Sequence, residues 1–356
     1  MKKIVFFTGS MFRGGAERVV RNLSCCFDEK GYTVEIANVL FNKTGYELPE
    51  SVKIVDCSSD NANLFSAADK IARYIMETKP DIVFVFTWQI SLIFGAALKK
   101  IKNRDFYLIM SERNDPRRPF KRRLLTPFVN AQYKKADVVV FQTQSAKKCF
   151  PKSIKDKSVI IPNVVEVGIK AEEHPQKKIV SIGRLESQKN QKMLIRAFGS
   201  FAKIHGDYVL EIFGEGRLRC ALEKLINDLG LKDKVFLKGN VSDVHEQIKD
   251  AEFFVLSSNY EGLSNALMEA MAMGLPVIST DYDGSEEYIK DGFNGLLTKK
   301  GNEQALVNAM CKLADDGAIR KAIGSNAEKT VDCLKKENVM QKWFSLIDNC
   351  DNGEKA

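Results

Sequence analysis

Short, almost unbroken runs of Val, Ile, Leu and Phe alternate with stretches of helical spacing along this 356-residue chain, and the alternation starts over near its middle. In the first half, KIVFFTG, TVEIANVL, VKIVDC, DIVFVFT, FYLIMSE and ADVVVFQT are too short for helices and too continuously apolar for strands with a wet face. That is the pattern of parallel strands covered on both sides. GAERVVRNLSCCFDEKG, between the first two, has helical spacing and a stop at Gly31. The second half repeats the scheme with KKIVSIGRL, YVLEIFGEG, KVFLKGN, AEFFVLSS and PVIST, separated by helical stretches such as QKMLIRAFGSFAKIHG. Two βα series in succession predict an α/β protein of two doubly wound domains. The expected join is a linker at about residues 164–176, where Pro162, Gly168 and Pro175 interrupt a charged stretch. The domains are then 1–165 and 176–337. Ligands of such sheets bind at the carboxyl ends of the strands, so two facing sheets predict a site in a cleft between domains.

Composition narrows the classes. Hydrophobic residues make up 44% and charged residues 28%, a globular balance. The eight cysteines include no CxxC pair and the three histidines are far apart in sequence, so no zinc site or redox motif is expected. Free thiols fit a reducing cytoplasm. The basic start MKKIVFFTGS is too short in its apolar run for a signal peptide. IVFVFTWQISLIFGAAL, residues 82–98, is uncharged but holds Thr87, Gln89 and Ser91; it reads as a buried strand and a buried helix rather than a membrane span. Charge is uneven. Residues 1–170 carry 29 Lys+Arg against 17 Asp+Glu, a balance of +12, and residues 171–356 carry 25 against 29, a balance of −4. One half is expected to face something anionic, membrane lipid or nucleic acid. No nucleic-acid module is visible.

Three glycine-bearing turns follow predicted strands: TGSMFRGGAERVV with Gly14 and Gly15, SIGRLESQKN with Gly183, and FGEGRLRC with Gly214, Glu215 and Gly216. Glycine admits backbone N–H groups close to an anion, and a helix N-terminus adds partial positive charge. None of the three matches a P-loop or a GxGxxG fingerprint, and an ordinary tight turn explains any one of them. GRLESQKN is more informative, because Arg184 and Lys189 bring a planar fork and a point charge to one strand end, which suits a diphosphate.

The segment SSNYEGLSNALMEAMAMGLPVIST, residues 257–280, contains two charges only, Glu261 and Glu269. AEFFVLSS before it is a strand, and NYEGLSN is a loop with Ser264 or Asn265 as N-cap. ALMEAMAM is a helix stopped by Gly274 and Pro276. The chain thus sets two carboxylates around one helix N-terminus: an anion fits the terminus, and hydroxyls fit the carboxylates. The plainer reading is a capping acid plus a buried pair partner.

With these motifs in order, the chain resembles the retaining glycosyltransferases of family 4, which have the GT-B fold. The residues that carry the resemblance are GGAERVV (Gly14–Val20), SIGRLESQKN (Ser181–Asn190), FGEG (Phe213–Gly216), EGLSNALMEAMAMGLPVISTD (Glu261–Asp281) and NGLL (Asn294–Leu297). The resemblance implies two Rossmann-like domains facing a cleft, with a C-terminal helix at about 338–352 crossing back to the first domain through Trp343 and Phe344. It implies transfer of a hexose or N-acetylhexosamine, with retention, from a nucleotide-sugar, a UDP-sugar by preference, to a lipid-linked or polysaccharide acceptor. Arg184 and Lys189 are then expected to hold the donor diphosphate in place of a metal, so no metal or other cofactor is expected. Glu269 is expected on the ribose hydroxyls and Glu261 on the transferred sugar, with the N–H groups of Leu263, Ser264 and Asn265 near the phosphates and Gly262 also at the donor. Val241 is expected near the base, and Gly14 and Gly15 over the donor. Where family members often carry a histidine, this chain has SERNDP, with Glu112 and Arg113 on the acceptor or sugar side.

Rival readings are a nucleotide-sugar epimerase of the same fold and a non-catalytic accessory subunit of a transferase. A second expectation concerns NDPRRPFKRRLLTPFVNAQYKKAD, where Arg117, Arg118, Lys121, Arg122 and Arg123 accompany Phe120, Leu124, Leu125 and Phe128. A helix here has a basic and an apolar face, the pattern of an interfacial segment. It leads us to expect a cytoplasmic protein held peripherally on the inner face of the membrane.

Overall fold

The computed structural model describes residues 2–12, 14–59, 64–113, 115–117 and 124–351. The chain divides into two compact units, with boundaries at Val164/Val165 and Lys336/Glu337.

The first unit is built on a seven-stranded sheet. Its strands are β1 (Lys3–Thr8), β2 (Thr33–Asn38), β3 (Lys53–Asp56), β4 (Ile82–Phe86), β5 (Tyr107–Glu112), β6 (Val138–Phe141) and β7 (Ser158–Ile160), in the order β3-β2-β1-β4-β5-β6-β7. Every pairing is parallel. All five residues of β4 are buried, because helices cover both faces. The run 82–98 is β4 followed by the buried helix Trp88–Leu98. Among the described residues no helix is long and apolar enough to cross a membrane.

One face of this sheet is closed from far along the chain. The helix Lys336–Asp351 packs Val339, Met340, Trp343, Leu346 and Ile347 against Ile4, Phe6, Phe84 and Ile109. Trp343 is fully buried, edge-on to Phe84 at 5.8 Å, and Phe344 meets Phe27. The C-terminal helix therefore belongs to the first unit's core, as the resemblance implies.

The second unit has a six-stranded parallel sheet of β8 (Gln176–Ile182), β9 (Val209–Phe213), β10 (Val235–Gly239), β11 (Ala251–Leu256), β12 (Val277–Thr280) and β13 (Leu296–Thr298), ordered β10-β9-β8-β11-β12-β13. The order reverses between β8 and β11, and in such sheets a crevice opens outside the carboxyl ends at that switch.

The stretch 164–176 is not a free linker. Val165 is buried, and backbone bonds run from Val165 to Leu334, Ala171 to Met273, Glu172 to Lys249 and Gln176 to Asp250. Its Pro, Gly and charged residues mark a wet surface on a strap laid along the second unit.

Candidate active site

At the switch point of the second sheet, the loop after β8 and the loop after β11 are sewn together. Ser257 Oγ donates to the carbonyls of Lys189 and Asn190 at 2.8 and 3.2 Å, and Asn259 Nδ2 to that of Ser187 at 2.8 Å. Asn190 adopts the left-handed region (φ 49°) to open the helix Gln191–Phe201, a conformation that asparagine tolerates. The loop after β9 closes against the β8 loop just as tightly. Leu185 N donates to the Glu215 carbonyl, and Leu218 N to that of Leu185. Gly214, at φ +128°, stands so close that a Cβ would lie 2.3 Å from the Gly183 oxygen; at Gly216 it would lie 2.4 Å from the Leu185 oxygen. These glycines serve backbone-to-backbone approach.

The stitched loops bring cations and carboxylates together. Lys189 Nζ is 2.6 Å from Glu261 Oε1. The same oxygen accepts from Ser258 Oγ at 2.6 Å, and Gln188 Nε2 donates to Oε2 at 3.1 Å. Glu261 is thus a buried carboxylate with charge-assisted partners on both oxygens. Burial, reinforced by the Glu261 charge, holds the Tyr282 phenol well above its ordinary range, so it stays protonated. Arg184 is exposed, and its guanidinium has no hydrogen-bond or ion-pair partner among the described residues. Glu186 is held below the usual carboxylate range chiefly by its hydrogen bond to Arg217, with the Arg184 charge a smaller cause.

Glu261 leads into Gly262, Leu263 and the helix Asn265–Ala272, which Gly274 (φ +82°) and Pro276 terminate. Ser264 is its N-cap, with an extended backbone, but the hydroxyl makes no capping bond. It is buried and unpartnered, beside a first turn left without a capping side chain. Glu269, in the second turn, is buried, and its Oε2 lies 3.1 Å from His245 Nε2. His245 was missed by sequence reasoning, which discounted three histidines for being far apart; its one signal was its place soon after β10. Val241, between β10 and the helix that carries His245, packs partly buried against the core cluster that includes Leu267 and Met271. Glu215 pairs with Arg219 at 2.9 Å. Among the described residues no group of three or more His, Cys, Asp and Glu is gathered as a metal would need.

The first unit holds the remaining expected residues. Gly14 is the extended N-cap of the helix Gly15–Glu29, and Tyr46 OH donates to its carbonyl at 3.0 Å. Glu112 ends β5 and Arg113 follows it. Tyr133 OH donates to Glu112 at 3.3 Å. Arg113 Nη1 donates to Asn163 at 3.2 Å, and the guanidinium lies over Phe86 and Trp343 at 5.3 and 5.4 Å. Its Nε and Nη2 are buried without partners, and burial pulls its pKa down to about 9 against the opposing charge of Glu112. Thr87, at the end of β4, has φ +73°, a strained value for a β-branched residue of the kind that collects at functional sites. Arg117 is bound by Asp115 at 2.8 Å and by Ser145 at 3.3 Å. Arg118, Lys121, Arg122 and Arg123 lie outside the described residues.

Comparison with known proteins shows the family. Residues 166–330 match the family described as glycosyl transferases group 1, and residues 13–168 match Glycosyltransferase Family 4. An uncharacterized glycosyltransferase of Methanocaldococcus jannaschii is 31% identical, over 78% of this chain and 82% of its own length. The N-acetylgalactosamine-N,N'-diacetylbacillosaminyl-diphospho-undecaprenol 4-alpha-N-acetylgalactosaminyltransferase of Campylobacter jejuni is 28% identical, over 98% of this chain and all of its own. The solved structure of Anabaena HepE in complex with UDP and glucose superposes with a TM-score of 0.83 at 19% identity, covering 98% of this chain and all of that one. With two parallel sheets, motifs on the expected loops and a close relative over most of its length, the chain belongs to the group 1, family 4 glycosyltransferases, of GT-B fold.

Proposed function

We propose that the protein is a retaining, metal-independent transferase that moves a hexose or N-acetylhexosamine from a UDP-sugar to a lipid-linked or polysaccharide acceptor. The observation that carries this reading is the gathering of Lys189, Glu261, Ser264 and Glu269 about one helix N-terminus at the switch of the second sheet. The terminus and Lys189, with Arg184 from the same loop, supply positive charge for a diphosphate, while Glu269 and Glu261 offer acceptors for ribose and sugar hydroxyls. In the reaction the bond from the sugar C1 to the phosphate oxygen breaks and a bond from the acceptor oxygen to C1 forms. The acceptor proton passes to the leaving phosphate, whose growing negative charge the two cations stabilise. Neither carboxylate has to act as a nucleophile. Support for the donor and acceptor classes comes from the UDP held by HepE and the diphospho-undecaprenol acceptor in the Campylobacter relative's name.

The test is a donor screen measuring nucleotide release, with and without lipid-linked acceptors, in the presence of EDTA. We expect acceptor-dependent UDP release that survives chelation. Inactivation by EDTA with rescue by magnesium or manganese would refute the metal-free mechanism. A new sugar nucleotide formed without acceptor would point to an epimerase. Peripheral attachment to the inner leaflet is part of the proposal and rests on the basic and apolar residues of 116–135; each basic group near an anionic surface contributes about 1 kcal/mol. Failure to float with anionic vesicles at low salt would remove it.

A further inference from the structure

His245 has no role in the reading above. It sits on the short helix Val244–Ile248, between β10 and β11, and that turn is pinned from several directions. Ile248 is fully buried, Val244 packs against the core that also holds Leu267 and Met271, and Lys178 Nζ donates to the Gln247 carbonyl at 3.0 Å. The imidazole is therefore delivered to Glu269, with Nε2 at 3.1 Å from Oε2. The two groups are 24 residues apart in sequence. Their side chains are 22% and 6% exposed, so both are largely enclosed and the ring is the more open of the two. An ionised carboxylate only accepts, so Nε2 must carry the proton in this bond. Nδ1 has no partner among the described residues.

We propose that His245 is a positioning residue for the nucleotide. It fixes the Glu269 carboxylate in the orientation that receives the ribose hydroxyls, and so removes the side-chain freedom that binding would otherwise have to freeze out. The proposal rests on the reading of Glu269 as the ribose ligand. It makes ribose recognition a property of two elements, the β10–β11 connection and the helix Asn265–Ala272, instead of one side chain.

Calorimetry can separate this from a merely structural role. The probes are whichever of UDP and GDP binds more tightly, and the 2′,3′-dideoxy form of the same nucleotide. The proteins are wild type, His245→Phe and His245→Gln. The expected result is a wild-type preference for the ribonucleotide of roughly tenfold or more, the worth of a charge-assisted hydrogen bond. His245→Phe should lose most of that preference while binding the dideoxy nucleotide as before. His245→Gln, whose amide can donate to the carboxylate, should restore it. Equal weakening of both nucleotides in His245→Phe, or full retention of the preference in both variants, would overturn the proposal alone. A wild-type protein that binds the two nucleotides equally would overturn the ribose role of Glu269, and the proposal with it.

Discussion

Lys189 Nζ lies 2.6 Å from Glu261 Oε1, although 72 residues separate them in sequence. The bond joins the loop after β8 to the loop after β11, so it is both a structural clasp and a reserve of charge at the proposed donor site. A diphosphate would compete with Glu261 for the ammonium. Lys189→Ala should therefore lower activity by at least about tenfold, and Glu261→Ala should lower turnover more than nucleotide affinity. Each single change also strands a partner in a buried place, at about 1–3 kcal/mol. Thermal unfolding should show the double variant less destabilised than the sum of the singles, by about 1 kcal/mol or more. Strict additivity would mean that the pair is not coupled.

Arg113 makes a different prediction, because its charge is buried with two N–H donors unmet. Such a group costs stability, whatever function it serves. Arg113→Met, which keeps the packing between Phe86 and Trp343, should leave Tm at neutral pH unchanged or raised. Arg113→Ala should lower it by leaving a cavity. Calorimetric unfolding of the variants at neutral pH checks this; a clear fall in Tm for Arg113→Met would contradict the burial argument.

The architecture was legible because both sheets are parallel and covered, which forces apolar runs such as IVFVF of β4 and AEFFVL of β11. The strands that escaped, β7 and β13, are sheet-edge strands of three residues; β7 is half-exposed throughout, so neither could show such a run. The strap 165–175 was misread as a linker because backbone hydrogen bonds leave no mark on composition. At the site, the loops holding Lys189 and Glu261 and the helix holding Glu269 could be read from local motifs. The Lys189–Glu261 bond and the approach of His245 could not, since each depends on how distant loops meet.

Trp343 tests how far the first unit depends on the chain's far end. Val339, Met340, Trp343, Leu346 and Ile347 are all buried on its sheet. Burial of one large apolar side chain contributes about 1.5–3 kcal/mol, so five of them rival the whole stability of a typical domain, about 5–15 kcal/mol. Trp343→Ala should cost about 3–5 kcal/mol, and truncation after Asn338 should unfold the first unit. Near-native Tm in the truncated protein would show the helix to be dispensable.

Gly214 and Gly230 are both at positive φ, +128° and +67°, yet they should answer differently to alanine. A Cβ at Gly230 meets nothing within 4 Å, so Gly230→Ala pays only the left-handed backbone penalty, about 1–2 kcal/mol, and should bind nucleotide as the wild type does. At Gly214 the same atom would lie 2.3 Å from the Gly183 oxygen and 2.9 Å from its carbonyl carbon, a collision with backbone that no rotamer change relieves. The β8 and β9 loops must part, and the loop that moves carries Arg184 and Lys189. Gly214→Ala should therefore lose nucleotide affinity and activity by at least about tenfold, beyond what its fall in Tm accounts for. Wild-type affinity for UDP or GDP in Gly214→Ala, measured well below its Tm, would separate this loop from the donor site.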